Sequence, residues 1–136
     1  MNREILFRGK DASLGEWVYG WYTEYPYGRW PLEPTIVPKE EAEGGYYTHT
    51  RVNPETVGQY TGQTDKNGKR IFEGDILEFA DNGGAESRFV VGMHDSGTWV
   101  AQWTGGDGYF TVSIVCPIMV VVGNIHDNPE LLEVAE

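Results

Sequence analysis

Short runs in which apolar and polar residues alternate recur along most of the chain. The clearest is EWVYGWY at Glu16–Tyr22, where Trp17, Tyr19 and Trp21 occupy every second position. A period of two predicts a β-strand whose two faces differ in environment. We expect this strand to form a hairpin with Glu4–Arg8 and its three aromatic side chains to pack in the core or on the sheet.

The second half of the chain repeats the alternation at short, even intervals. Turn-forming residues separate five apolar runs, which we predict as strands at Ile76–Phe79, Arg88–His94, Thr98–Trp103, Tyr109–Val115 and Ile118–Ile125. Consecutive short strands at this spacing are typical of a meander in a small barrel.

The sequence therefore predicts an all-β fold. We expect a small antiparallel SH3-like or related β-barrel over residues 57–136, an N-terminal β-hairpin lobe with a polar loop over residues 1–56, and a short C-terminal helix at Asn128–Glu133. At 136 residues, the whole chain is expected to form one domain.

Two tight turns lie in the middle of the chain. Asn67-Gly68 is a signal for a type I′ turn, because both central residues of that turn need a positive φ, which Asn tolerates and Gly adopts freely. Gly74-Asp75 makes a second bend, where the Asp75 carboxylate can accept hydrogen bonds from backbone amides. We therefore assign structural roles to Asn67, Gly68, Gly74 and Asp75, and also to Asp65, which opens the first turn.

The segment Pro31–Gly45 is rich in proline and acidic residues. We expect it to be a long exposed connection. Two alternatives remain open, namely a brief strand at Thr35–Val37 and one helical turn at Glu40–Glu43. A further turn, or a single helical turn capped by its asparagine, is predicted at Asn53–Thr56.

Two long motifs resemble a known family. The stretch TVGQYTGQTDKNGKRIFEGDILEF and the closing VVGNIHDNPELLE are similar to the YopX family of small phage and prophage proteins, and REILFRGKD and GEWVYGWY fit the same pattern. The resemblance spans nearly the whole chain. It implies a mostly-β, phage-derived protein, and it brings neither an established activity nor catalytic or ligand-binding residues to transfer.

The charge of the chain is negative and uneven. The formal net charge is −11, with seven Lys and Arg against ten Asp and Glu up to Gly68, and three against eleven from Lys69 onward. Nucleic-acid backbones bind mainly to clustered Lys and Arg. The second half is therefore a poor nucleic-acid surface. On the simplest interpretation, the acidic residues keep the protein soluble. The alternative is an acidic surface that docks on a basic partner or imitates DNA before a DNA-binding protein.

Tyr25, Tyr27, Arg29 and Trp30 lie among prolines and glycines, outside a regular strand. Aromatic residues and arginine are enriched in protein interfaces, so we take these four residues as the candidate interaction surface. A single nearby cation argues against the alternative that they stack on a base or sugar. The edge strands of an open barrel also favour self-association.

The residue pattern indicates no enzyme, no cofactor and no metal site. Cys116 is the only cysteine and lies in an apolar run, so we expect a small buried hydrophobic residue and not a nucleophile. His94-Asp95 and His126-Asp127 lack a second ligand pair at a recognised metal-binding spacing.

The start of the chain carries no apolar signal segment. The most apolar run, Val112–Val122, is shorter than the ~20 residues needed to span a bilayer. We therefore expect a protein of the host bacterial cytoplasm. The predicted function is that of a non-enzymatic phage or prophage accessory protein that acts through contacts with another protein, with a host protein as the expected kind of partner. The alternatives are a nucleic-acid-binding small barrel and a small-molecule-binding domain.

Overall fold

Two compact units make up the chain, Met1–Tyr60 and Thr61–Glu136. The computed structural model describes residues 4–25, 32–45 and 48–132. The strands pair antiparallel in two sheets and the helices are short, so the predicted all-β class is confirmed. Closure of the sheets into a barrel stays a prediction.

The first unit is built on one antiparallel sheet. Its strands are β1 (Phe7–Lys10), β2 (Trp17–Tyr25), β3 (Glu33–Pro38), β4 (Thr50–Arg51) and the beginning of β5 (Gly58–Thr64). Their order is β4-β3-β2-β1-β5, and β1 and β2 form the predicted hairpin. The helix α1 (Lys39–Glu43) follows β3. A 3₁₀ helix at Pro54–Thr56 follows β4, and its Asn53 cap accepts the Glu55 N–H at 3.1 Å, as the helical-turn alternative predicts.

The strand β3 corrects the predicted loop at Pro31–Gly45. It lies between β2 and β4 in the sheet, and its central residues Thr35, Ile36 and Val37 are fully or almost fully buried. The loop prediction was wrong here, and the alternatives of a strand at Thr35–Val37 and a helical turn after it are confirmed. The prolines that flank these three residues hide the strand, because proline is rare inside a sheet.

Close backbone packing explains a glycine inside β2. A Cβ atom placed on Gly20 would overlap the backbone carbonyl of Val37 on β3. The glycine is therefore required by the approach of the two strands, even though glycine in a strand interior lowers β-propensity.

The second unit holds the remaining strands. They are the end of β5, β6 (Arg70–Phe72), β7 (Asp75–Phe79), β8 (Arg88–Met93), β9 (Trp99–Trp103), β10 (Tyr109–Thr111) and β11 (Met119–Asn124). The last five form a sheet in the order β10-β9-β8-β7-β11. The predicted meander is therefore correct for β7 to β10, whereas β11 returns to pair with β7 and not with its predecessor.

Two short helices between β10 and β11 turn the chain back toward β7. The helix α2 (Val112–Val115) replaces the end of the predicted strand Tyr109–Val115, and a 3₁₀ helix (Cys116–Ile118) follows it. Val112, Val115, Cys116 and Met119 are buried, at the i, i+3, i+4 and i+7 spacing of a helix. The prediction was wrong because every residue around these positions is also uncharged, which conceals the period.

The carboxylate of Asp65 joins the β5–β6 hairpin to β11. One oxygen accepts the N–H groups of Asn67 at 2.8 Å and Lys69 at 2.9 Å, and the other accepts the Val121 N–H at 2.9 Å. The Lys66 N–H adds a bond to the Met119 carbonyl at 2.9 Å. The side chain is almost fully buried, so three backbone donors depend on one acidic group.

The turn that Asp65 opens differs from the expected type I′. Gly68 has a φ of +83°, while Asn82 is the only non-glycine with positive φ among the described residues, so Asn67 keeps a negative φ. The Gly68 N–H donates to the Asp65 carbonyl, which makes a turn followed by one left-handed glycine. The Asp65 side chain selects this form because it accepts the Asn67 N–H directly.

The second bend has the expected form. Gly74 has a φ of +88°, and the buried Asp75 carboxylate accepts the Phe72 N–H at 2.7 Å. Near the end of the described chain, a 3₁₀ helix at Pro129–Leu132 corresponds to the predicted C-terminal helix. The Arg88 guanidinium holds it by donating to the Leu131 carbonyl at 2.9 Å, and it also pairs with Glu78 at 2.8 Å.

Substitution of Gly20 tests the close approach of β2 and β3. We expect Gly20→Ala to lower the free energy of unfolding by about 1–3 kcal/mol, as overpacking typically does. The matched control is Gly92→Ala in β8, where a Cβ would meet open space and the change is expected to stay within about 0.5 kcal/mol. Urea denaturation measures both, and equal stabilities would contradict the packing.

Removal of the Asp65 carboxylate tests the joint between the hairpin and β11. We expect Asp65→Ala to cost about 3 kcal/mol or more, because each buried donor left without an acceptor costs roughly 1–3 kcal/mol. Asp81→Ala, which removes an exposed carboxylate, serves as the control and should be nearly neutral. A thermal melt of Asp65→Ala that coincides with the wild-type melt would show that the joint contributes little.

Candidate functional site

One face of β2 carries a row of aromatic side chains, which we call the aromatic face. It consists of Trp17, Tyr19, Trp21 and Tyr25. Tyr19, Trp21 and Tyr25 are 41%, 40% and 41% exposed. Of the two predicted placements, core or sheet, the structure places Tyr19 and Trp21 on the sheet surface and not in the core. The nine-residue β2 is covered on this side by the five-residue helix α1, which is too short to bury the whole row.

Trp17 lies at the better covered end of the aromatic face. The Arg8 guanidinium lies 4.5 Å from the centre of its ring and the Lys10 ammonium 5.4 Å. Both distances are within the range of a cation–π interaction. These two cations come from β1, where they stand opposite Tyr19 and Trp17.

An open cavity of about 590 Å³ lies beside Trp21. The described residues that line it come from β2, β3, α1 and the segment before β4, and they are Trp21, Thr23, Val37, Ala42, Glu43 and His49. The volume falls within the range typical of ligand pockets, and the lining combines an apolar wall with a few polar groups. The site can therefore accept one apolar side chain or a small organic molecule.

Two threonines fix the imidazole of His49 at the cavity wall. Its Nδ1 lies 3.1 Å from the Thr23 hydroxyl and 3.3 Å from the Thr35 hydroxyl, and the two hydroxyls lie 2.6 Å apart. The Thr35 hydroxyl also donates to the Thr23 carbonyl at 3.1 Å. The imidazole is thus a placed polar group of the wall.

Tyr25 stacks on the other side of this histidine. The two ring centres are 4.2 Å apart, with an angle of 25° between the ring planes. Of the four residues predicted to form the interaction surface, Tyr25 is therefore placed next to the cavity, half exposed. Tyr27, Arg29 and Trp30 lie outside the described residues.

The edge of the cavity formed by α1 is acidic. Glu43 lines the cavity, and Glu40 and Glu41 are exposed on the same helix. Lys39 pairs with Glu4 at 2.8 Å and lies 3.8 Å from Glu43, so its charge is shared with two carboxylates. A basic group that approaches this edge meets a net negative charge.

Sequence reasoning did not find the cavity. The hydrogen-bonded pairs among Thr23, Thr35 and His49 are separated by 12 to 26 residues, and no local pattern marks these residues as neighbours. The alternating sequence YYTHTRV at residues 46–52 is a signal for a strand near His49, but it does not indicate which strand lies beside it. The His94 imidazole has a local partner, since its Nδ1 lies 3.0 Å from the Ser96 hydroxyl.

Cys116 lies in the second unit, with its side chain buried. Its sulfur donates to the Gln63 side-chain oxygen at 3.7 Å. Burial raises the pKa of the Cys116 thiol above its ordinary value, so the thiolate is disfavoured. The prediction of a small buried hydrophobic residue is confirmed.

The strand order, the short helices and the turns around Asp65 and Asp75 define a small all-β protein. A family model described as YopX protein matches residues 6–133. The chain therefore belongs to the YopX family.

One solved structure shows the same fold. The crystal structure of protein EF1440 from Enterococcus faecalis is 24% identical, covers 97% of this chain and 100% of its own, and superposes with a TM-score of 0.55. A comparison with curated proteins gives no match. Among the described residues, no helix has both the length and the apolar character needed to cross a membrane.

The reactivity of Cys116 tests its burial. We expect native protein at pH 8 to react with a disulfide reagent such as DTNB at least ~10 times more slowly than protein unfolded in urea, because both access and thiolate formation are reduced. Since the folded pKa is raised, the thiol's contribution to stability is fully present at neutral pH and is lost as the pH rises past the unfolded thiol's pKa. Equal rates in the native and unfolded protein would contradict the buried placement.

Proposed function

We propose that this protein is a non-enzymatic binding module, an accessory protein of a phage or prophage that works in the host cytoplasm. In this proposal it docks a basic host protein on the aromatic face, with an apolar side chain of the partner in the cavity. The observation that carries the proposal is that Tyr19, Trp21 and Tyr25 are all about 40% exposed on one sheet face, with Trp21 in the wall of that cavity.

The side chains of the aromatic face suit a protein interface. Tyrosine and tryptophan are enriched among the residues that contribute most to binding, because each buries a large area at small entropic cost. Tyr25 and His49 stack on one another, and the two threonines hold the histidine. The face is therefore ordered before a partner arrives, which lowers the cost of binding.

The charges favour a basic partner over a nucleic acid. Acidic residues surround the α1 edge of the cavity, and the chain has a net charge of −11. In the second unit, Arg88 is paired with Glu78 and bonded to Leu131, so its charge is already used inside the fold. A phosphate backbone would be repelled on approach, whereas a basic protein would be attracted.

Capture followed by direct binding tests the proposal. Tagged wild-type protein is incubated with nuclease-treated bacterial lysate, the captured protein is identified and purified, and its affinity is measured by calorimetry. We expect Trp21→Ala to weaken binding by about 30-fold or more, as loss of a central aromatic residue does. Near-UV circular dichroism verifies that the variant is folded.

The matched control is Trp103→Ala, which removes a tryptophan side chain of nearly the same exposure, 39% against 40%, from the second unit and should bind like the wild type. Capture that disappears after nuclease treatment would favour the nucleic-acid alternative. Equal affinity of Trp21→Ala and the wild type would exclude the aromatic face as the docking surface.

The volume of the cavity supports a second candidate, a small-molecule site. An open pocket of about 590 Å³ with an apolar wall and a fixed imidazole can hold a metabolite-sized ligand. Native mass spectrometry of the purified protein distinguishes the two. A stoichiometric bound metabolite that Trp21→Ala loses would favour this candidate over protein docking.

A further inference from the structure

The two end strands of the five-stranded sheet differ in how their outer edges are used. β10 and β11 stand at opposite ends of the strand order. The outer edge of β11 is occupied within the unit, since the Val121 N–H donates to Asp65 and the Met119 carbonyl accepts the Lys66 N–H. β10 bonds β9 on one side and presents its other side outward.

The hydrogen bonds of β10 show which backbone groups point outward. The Trp103 N–H donates to the Gly108 carbonyl at 2.8 Å. Because bonding alternates from one residue pair to the next in an antiparallel ladder, Phe110 directs its N–H and C=O toward β9, and Tyr109 and Thr111 direct theirs away. Thr111 is also the N-cap residue of α2, so its carbonyl serves that helix.

The outer edge of β10 therefore presents two donors, the Tyr109 and Thr111 N–H groups, and one acceptor that serves no helix, the Tyr109 carbonyl. We propose that β10 pairs antiparallel with β10 of a second copy of this chain, about a two-fold axis at Phe110. In this register the Thr111 N–H donates to the carbonyl of the partner's Tyr109, and symmetry makes the bond twice. Two five-stranded sheets then become one.

Exposed apolar side chains accompany this edge. Tyr109, Phe110 and Ile114 are 49%, 44% and 74% exposed. The Phe110 ring is held by Phe79 and Phe89, at 6.1 Å and 5.5 Å between ring centres. In the proposed register Phe110 faces its own copy in a non-hydrogen-bonded pair, where opposing side chains lie closest. Pairing would thus cover a ring that the unit alone leaves half exposed.

Charge identifies the occupant as a second copy. Residues 108–125 contain no Asp, Glu, Lys or Arg, although the chain has a net charge of −11. Edge strands that stay unpaired usually carry a charge, a proline or a bulge that blocks pairing. An uncharged edge lets two acidic chains approach without like-charge repulsion, whereas a basic partner gains no attraction there.

Light scattering with a proline variant tests the pairing. Thr111 has a φ of −71°, which proline adopts without strain, so Thr111→Pro removes the donor and keeps the strand. We expect the wild type to have twice the mass of one 15.3 kDa chain. Thr111→Pro should raise the dimer dissociation constant about tenfold or more, given what two lost hydrogen bonds contribute. Thr111→Ala, which keeps the N–H, should dimerise like the wild type.

A monomeric wild type at ~0.5 mM, where even weak dimers are populated, would overturn the proposal, and so would Thr111→Pro that dimerises as the wild type does.

Phe110→Cys in a Cys116→Ser background tests the same register by disulfide formation if the proline variant does not fold. Non-hydrogen-bonded pairs place Cα atoms about 4.5 Å apart, within disulfide range. Oxidation should give a covalent dimer, while the exposed control Asp81→Cys should not; monomeric Phe110→Cys after oxidation would contradict the register.

Discussion

The buried Asp65 carboxylate is the interaction on which the second unit most depends. A carboxylate has only acceptors, so it can bind several N–H groups at once, and this one binds three from two elements that are distant in sequence. Its cost of burial is offset because every contact is a charge-assisted hydrogen bond. The same group shapes the hairpin turn and occupies the outer edge of β11, which links local conformation to strand order.

In the first unit, the helix α1 covers only part of the aromatic face of β2. Its central strands β2 and β3 pair along their length, and Gly20 lets the backbone of Val37 approach. The helix on the aromatic side is five residues long, so part of the row on β2 stays half exposed. The cavity lies between the C-terminal end of this helix and His49. Hydrogen-bonding contacts of Thr23 and Thr35 with His49 hold its wall in place. The proposed function uses the surface that the fold does not cover.

The distribution of charge supports the proposed basic partner. Several of the few cations take part in internal contacts, as Arg88 with Glu78 and Lys39 with Glu4 show. Much of the acidic surface is therefore uncompensated, which favours basic partners and disfavours nucleic acid. The uncharged stretch at residues 108–125 is the exception, and it coincides with the sheet edge that we propose to be a homotypic contact.

The sequence alone determined the features that depend on neighbouring residues. Alternation indicated the β1–β2 hairpin, turn residues located the bends at Gly68 and Gly74, and the capped turn after Asn53 was readable because its signal spans four residues. The family was also visible in its long motifs. These predictions succeeded because each rests on local conformational preferences.

The tertiary structure decided what depends on distant partners. β3 became a central strand despite its prolines because β2 and β4 supplied partners on both sides. Val112–Ile118 became helical because that spacing buries Val112, Val115 and Met119 together, a choice that a uniformly apolar run cannot reveal. The cavity joins residues from four segments, and no local preference specifies which segments meet. Burial and strand pairing are collective properties, and they override local propensity wherever the two disagree.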